Sequence, residues 1–213
     1  MLPTLLIWDF NGTLLNDGHI LVDVNNEMNR RHGFPEITYE YYRENFSHPP
    51  KPFYEKLGFD FTKVDYAELS RVFLEIYEER QHTASLSPNV EAVLRWAEEK
   101  QIPQIIVSAH KQDMLERHLE RLGIRHFFSH VSGESSHVIG GKVERAKALA
   151  ESGQFDFSRS VLIGDTSHDY KAACAMGADC ILYSGGHETV ERLSAAGVPI
   201  IHDFAELPAL LEQ

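Results

Sequence analysis

Cysteine is almost missing from this chain, which has only Cys174 and Cys180. They stand too far apart for a Cys-x-x-Cys site, so two buried thiols in a reducing compartment are expected. No uninterrupted apolar stretch approaches the ~20 residues of a membrane-spanning helix. Positive charge is scarce: Lys and Arg number 20 against 32 Asp and Glu, a formal net charge of -12. Such a surface repels nucleic acid and anionic membrane, and neither is an expected partner. It also opposes any anionic ligand unless a metal ion or a local Lys offsets the field. The twelve His show no ligand-like spacing, so zinc is not expected. Met1-Leu2-Pro3-Thr4 lacks the basic start of a secretory signal, and the expectation is a cytoplasmic protein.

What is present begins with Leu5-Leu6-Ile7-Trp8-Asp9-Phe10-Asn11-Gly12-Thr13-Leu14-Leu15. A short apolar run stops at a carboxylate and is followed by an Asn-Gly turn. The run reads as a buried strand with Asp9 at its carboxyl end. A hairpin is the rival, because Asn-Gly between apolar residues also signals one.

The remaining chain decides between them. Residues 16–85 are rich in charge and aromatics at helical spacing. Leu21, Val24, Met28 and His32 form one stripe, closed by Gly33-Phe34-Pro35. Thr38 is a candidate N-cap, and 64–81 reads as a long helix. Its aromatic residues read as a core. After Ser87-Pro88 helices and short apolar strands alternate: helix 89–100, strand 104–107 ending at Ser108, helix 111–122, strand 127–131, helix 143–152. Strand 160–163 follows, ending at Gly164-Asp165, and then helix 169–176, strand 180–183, helix 189–196, strand 199–201 and helix 204–211. That order predicts an α/β fold, a doubly wound parallel sheet with right-handed crossovers. No partner strand follows Leu14, so the hairpin reading fails. The expected domains are a core of 1–14 and 86–213 and an inserted all-helical cap of 15–85. The length of 213 residues suits one domain with such an insertion.

Three strands end in polar residues: Asp9, Ser108, and Gly164-Asp165 with Asp169 four positions later. Side by side, they converge on one crevice at the carboxyl edge of the sheet. Carboxylates gathered there repel one another without a cation. Asp9, Asp165 and Asp169 therefore point to a hard divalent ion, foremost Mg²⁺. Ser108-Ala109-His110 lacks a nucleophile-elbow pattern, and Ser108 reads as a hydrogen-bond donor to an anion. Lys142, after Gly140-Gly141, is either a point charge for that anion or a solvated helix-start residue.

Asp9-Phe10-Asn11-Gly12-Thr13-Leu14 resembles the first motif of the haloacid dehalogenase superfamily, Asp-x-Asp-Gly-Thr-Leu. Ser108 resembles its second motif and Lys142 its third, with Lys147 a poorer match in spacing. Gly164-Asp165-Thr166-Ser167-His168-Asp169 resembles its fourth. The helical insertion resembles the cap of the subgroup containing phosphoglycolate phosphatases. The resemblance implies a Mg²⁺-dependent phosphohydrolase acting on a small phosphorylated metabolite. Asp9 would be the nucleophile and form an aspartyl-phosphate. Asp9, the Asn11 carbonyl and Asp165 would hold the metal, with Asp169 fixing the site. Ser108, Ala109 and Lys142, with the backbone of Gly12 and Thr13, would bind the phosphoryl group.

One position departs from the pattern. Phosphatases of the family carry a second Asp where this chain has Asn11. An amide cannot exchange the proton that the leaving oxygen and the attacking water require. His110, His168 or the substrate could move it instead. Acyl phosphates would need little protonation. Phosphonate chemistry through a cap lysine (Lys51, Lys56 or Lys63) and a non-catalytic phosphate-binding role are further alternatives.

Overall fold

The computed structural model describes residues 1–134 and 141–213. Gly140 of the sequence reading lies outside them. The chain divides into two compact units, Met1–Asn16 with Ser85–Gln213, and Asp17–Ala84.

The elements of the chain are, in order, β1 (Leu5–Trp8), β2 (Leu15–Asn16), α1 (Gly18–His32), α2 (Tyr39–Asn45), α3 (Lys51–Leu57), α4 (Tyr66–Arg80), β3 (Ser85–Leu86), α5 (Val90–Glu99), β4 (Gln104–Lys111), α6 (Gln112–Arg121), β5 (His130–Glu134), α7 (Lys142–Glu151), β6 (Ser160–Gly164), α8 (Ser167–Met176), β7 (Asp179–Tyr183), α9 (Val190–Ser194), β8 (Ile200–Ile201) and α10 (Leu207–Leu211).

In the first unit, the described residues form a six-stranded sheet of order β5-β4-β1-β6-β7-β8, parallel throughout. This is the expected doubly wound α/β architecture. Strand β1 lies between β4 and β6, where the winding direction reverses. Trp8 pairs with Ile106 on one side and Ile163 on the other. Asp9 is therefore level with Val107 and Gly164, and Ser108 and Asp165 stand one residue further along. The strand alternates across two cores. Leu5 and Ile7 pack with Leu162, Leu182, Ala172 and Ala173. Trp8 faces the other way, tilted against Phe204 at 6.1 Å. Its indole N–H donates to Gln104 Oε1 at 3.0 Å, and Gln104 Nε2 donates to the Leu94 carbonyl at 3.0 Å. Both buried polar groups are thus satisfied.

The structure departs from the sequence reading at four places. Strand β4 runs past Ser108 to Lys111, because its pairing with β5 shifts register after Val107. Strand β5 begins at His130, later than the expected 127, since Arg125–Phe127 forms a 3₁₀ turn that buries Phe127. Leu15 and Asn16 do find a strand partner, Leu86 and Ser85, far away in sequence. Cys180 is buried but Cys174 is exposed, because α8 turns Ala172, Ala173 and Met176 inward.

The second unit is helical. Asp17 is fully buried ahead of α1 and accepts a 2.6 Å hydrogen bond from the Tyr77 hydroxyl of α4. Thr38 caps α2 by accepting from the Tyr41 N–H at 3.1 Å, and Asp65 caps α4 through the Ala67 N–H at 3.0 Å. Helix α1 stops at Gly33, whose φ of 74° is left-handed. Tyr42, Phe46 and Phe53 pack on one another edge-on or stacked, as a core.

Candidate active site

The ends of β1 and β6, and the point where β4 leaves its register with β5, bring Asp9, Asp165 and Ser108 to one edge, all three buried. Helix α8 adds Asp169 from its first turn, and α7 adds Lys142 from its first residue. Lys142 is buried, which removes the solvated reading; Lys147, one turn on, is exposed. The Lys142 ammonium lies 2.6 Å from Asp9 Oδ1 and also bonds Asp169 Oδ1. Each of these bonds is charge-assisted and desolvated.

Asp169 has a second occupation. Its Oδ2 accepts from the Asp165 N–H (3.2 Å), the Thr166 N–H (2.9 Å) and the Thr166 hydroxyl (2.6 Å). As the third residue of α8 it thereby caps the helix start. Asp165 Oδ1 accepts from the Thr13 hydroxyl at 2.7 Å, and Oδ2 from the His187 N–H at 2.7 Å.

Burial pushes the Asp9 carboxyl up to about 8; Lys142 opposes the shift, and Asp169 and Asp165 reinforce it. Burial likewise raises Asp165 to about 6, against the pull of His187. Burial also acts to raise Asp169, but Lys142 and Thr166 hold it below the usual carboxylate range. Lys142 is raised despite burial, because Asp169 and Asp9 flank it. One ammonium thus serves two of the three carboxylates, and Asp165 relies on Thr13 and His187.

Asp9, Asp165 and Asp169 each offer an oxygen, and these oxygens lie within 4.8 Å of one another. An all-oxygen donor set with more negative charge than one Lys can offset fits a hard divalent cation.

The turn after Asp9 is built for close approach. Gly12 has a φ of +75°, and a Cβ there would overlap Asp165 Oδ2. The Gly12 N–H donates to the Leu15 carbonyl (2.9 Å) and the Thr13 N–H to the Phe10 carbonyl (3.3 Å). These two donors, expected to serve the phosphoryl group, close the turn instead. The short Phe10–Leu15 turn has its own carbonyls to satisfy, and it uses them for this. Asn11 is half-buried and bridges Leu15 through its backbone. Ala109 is exposed beside Ser108. The Ser108 hydroxyl oxygen accepts from the His110 N–H at 3.1 Å. The His110 ring packs against Phe10 and His118, centroids 5.8 and 5.5 Å away.

Sequence reasoning missed the segment 185–188. A Cβ at Gly186 would overlap Asp165 Oδ2. His187 Nδ1 lies 3.5 Å from the same oxygen. Glu188 is buried and accepts from the Ser167 N–H and hydroxyl, both at 3.0 Å, while pairing with Arg192. The available signal was Gly185-Gly186, one residue after the apolar strand β7.

The cap lysines have no desolvated setting. Lys63 is exposed, paired with Asp60 at 2.9 Å, and raised by that bond. Lys51 is exposed, with its ammonium 5.2 Å from the Phe61 ring centroid. Lys56 is exposed and reaches Asn45 Oδ1 at 3.4 Å. An imine-forming lysine needs a desolvated setting that favours the free amine, and all three of these side chains are exposed.

Comparison with known proteins adds the following. A phosphoglycolate phosphatase of Pseudomonas putida is 23% identical over 218 residues, covering 99% of this chain and 79% of that protein. A crystal structure described as a predicted phosphatase from Clostridium acetobutylicum superposes with a TM-score of 0.83 at 16% identity, over 100% of both chains. Protein Tyrosine Kinase A of Mycobacterium tuberculosis gives 0.81 at 22% identity, over 100% of this chain and 99% of that one. At such identities these structures share the fold, and their differing names transfer no substrate. The family model for haloacid dehalogenase-like hydrolases matches residues 6–183, a span that contains Asp9, Ser108, Lys142, Asp165 and Asp169, and the chain belongs to that family.

Proposed function

We propose that this chain hydrolyses a small phosphorylated metabolite through an aspartyl-phosphate on Asp9, with Mg²⁺ as cofactor. The observation that carries the reading is the placement of Asp9. It directly follows the central strand β1, level with Val107 of β4 and with Gly164 at the end of β6, and is bonded to the Lys142 ammonium. In this reading an Asp9 oxygen attacks phosphorus and the bond to the leaving oxygen breaks. Water then cleaves the acyl phosphate and releases inorganic phosphate. Lys142 and the Ser108 hydroxyl hold the phosphoryl oxygens and stabilise charge on the transferring group. Asp169 holds Lys142 by one oxygen and the α8 turn by the other. Thr13 and the His187 N–H orient Asp165. Mg²⁺ held by Asp9, the Asn11 carbonyl and Asp165, with Asp169 beside them, would supply Lewis-acid stabilisation of phosphoryl charge.

Residues 15–85 are assigned to the cap domain and 1–14 and 86–213 to the core domain, as in the phosphoglycolate phosphatase-like subgroup. The name of the Pseudomonas putida relative supports that subgroup. Two free thiols suit a cytoplasmic enzyme. No helix among the described residues is long and apolar enough to cross a membrane.

Asn11 favours a narrower substrate class within this reading. Acyl phosphates and aryl phosphates leave as weak bases and need little proton delivery. A panel of acetyl phosphate, 4-nitrophenyl phosphate and alkyl phosphomonoesters tests both levels. Phosphate release that needs Mg²⁺, stops with EDTA and disappears in Asp9→Ala is the expected result. Failure to release phosphate from any member, with orthophosphate still bound, would leave a phosphate-binding protein.

A further inference from the structure

The segment that carries Ser108 is not an ordinary strand end. Val107 pairs with Ser132, and the next registered pair is Lys111 with Glu134. Four steps along β4 thus face two along β5, and Ser108, Ala109 and His110 bulge out of the ladder. A bulge leaves main-chain groups without ladder partners, and these must be held by something else.

Two devices hold this one. Gly133 sits beneath it: a Cβ there would lie 2.8 Å from the His110 carbonyl oxygen and 2.8 Å from Gln112 Cα. The Gly133 N–H donates to Gln112 Oε1 at 2.5 Å. The second device is Arg145. Its Nη1 donates to the Ser108 carbonyl at 3.2 Å, and its Nη2 pairs with Glu134, the last residue of β5. The two side chains are only 14% and 11% exposed. Arg145 stands three residues after Lys142, on the same face of α7. One helical turn therefore carries both the ammonium on Asp9 and the guanidinium on the Ser108 carbonyl. Because Glu134 neutralises Arg145, the pair adds little net field at the site. Its effect is geometric.

We infer that Arg145, locked by Glu134, is a positioning residue that fixes the Ser108–Ala109 bulge against Lys142, so that the two phosphoryl-binding groups keep one spacing. This rests on the proposed role of Ser108 and Lys142 in holding phosphate. The guanidinium fork suits the task because it serves two acceptors in fixed geometry, which a single ammonium cannot reproduce.

Arg145→Lys keeps the charge beside Glu134 and loses the fork. Orthophosphate affinity is measured by calorimetry with Mg²⁺ present, kcat and KM with 4-nitrophenyl phosphate, and Tm by thermal unfolding. The expected result is a tenfold or larger rise in the orthophosphate Kd and a tenfold or larger fall in kcat/KM, with Tm unchanged. Should Arg145→Lys fail to fold, the double variant Arg145→Gln with Glu134→Gln, which leaves no buried charge, is read in its place with the same expectation. Kd and kcat/KM within twofold of the parent, or a fall in kcat/KM alone, overturn the inference. Lys142→Met separates the two levels. If it leaves orthophosphate binding unchanged, the phosphate-site reading itself fails. If it weakens binding while Arg145→Lys does not, only the positioning role fails.

Discussion

An amide at position 11 can donate a hydrogen bond to a leaving oxygen but cannot give it a proton. General acid–base catalysis is worth ~10²–10⁴-fold, or about 3–5 kcal/mol of barrier. Asn11→Asp is therefore expected to raise kcat on alkyl phosphomonoesters by ~10²- to 10⁴-fold and to change acetyl phosphate turnover far less. Steady-state kinetics on both substrates check this, and an equal rise on the two would mean that proton delivery is not what position 11 limits. Asp9→Ala is expected to abolish turnover and the mass increment of a trapped phospho-enzyme while leaving Tm at or above the parent value, because it deletes a carboxylate that burial already disfavours. Asp9 and Asp165 were legible in the sequence, since each follows an apolar run and strand ends in parallel sheets point at ligands, and Asp169 was read from its place four residues after Asp165. Lys142 was not decided by its own neighbourhood. Its burial depends on Asp9 and Asp169, which local spacing does not bring together.

Helix α8 shows what an element contributes beyond a residue. Its first turn holds Thr166 and Asp169 in reciprocal contact, and the same Asp169 carboxylate holds Lys142. Hydrogen bonds to a charged group contribute ~1.5–3 kcal/mol, so Thr166→Val, which deletes one of them, is expected to lower unfolding free energy by about that amount in urea denaturation. A loss below ~0.5 kcal/mol would mean that the Thr166 N–H and Lys142 suffice to hold Asp169. Helices and buried strands were readable because their apolar periods are strong, but α8 starts at Ser167, two residues before the expected 169, because Thr166 and Asp169 form a capping box. The elements that the sequence hid are those without a period. Strands β2 and β3 are two residues each and exist through a partner some seventy positions away. Strand β5 was expected at 127–131, and its shift to His130–Glu134 at the sheet edge follows non-local contacts, since Gln112 and Arg145 hold Gly133 and Glu134 beyond the buried Val131. The 185–188 segment matters through Asp165, a contact that no local pattern encodes.

At the scale of the whole molecule, charge sets the terms. The chain carries a formal net charge of -12, and the site concentrates three carboxylates against one Lys in a buried setting. Sodium or potassium at high concentration screens exposed charges but reaches a buried cluster poorly. A divalent ion bound among the carboxylates acts differently, because it binds the folded chain and not the unfolded one. Such binding contributes RT ln(1 + [L]/Kd), about 2.7 kcal/mol at a hundredfold excess over Kd. Mg²⁺ at millimolar concentration is accordingly expected to raise Tm by several degrees in an otherwise metal-free sample, and EDTA to reverse the gain. KCl matched for ionic strength should not reproduce it. Asp165→Asn should remove the Mg²⁺-dependent part of the shift, since it neutralises a proposed ligand that keeps its Thr13 and His187 contacts only in part. Differential scanning calorimetry of the parent and Asp165→Asn, each with Mg²⁺, EDTA and KCl, decides the matter. A rise that KCl mimics, or that Asp165→Asn retains, would assign the stabilisation to surface screening and leave the three carboxylates to be neutralised by Lys142 and protons alone.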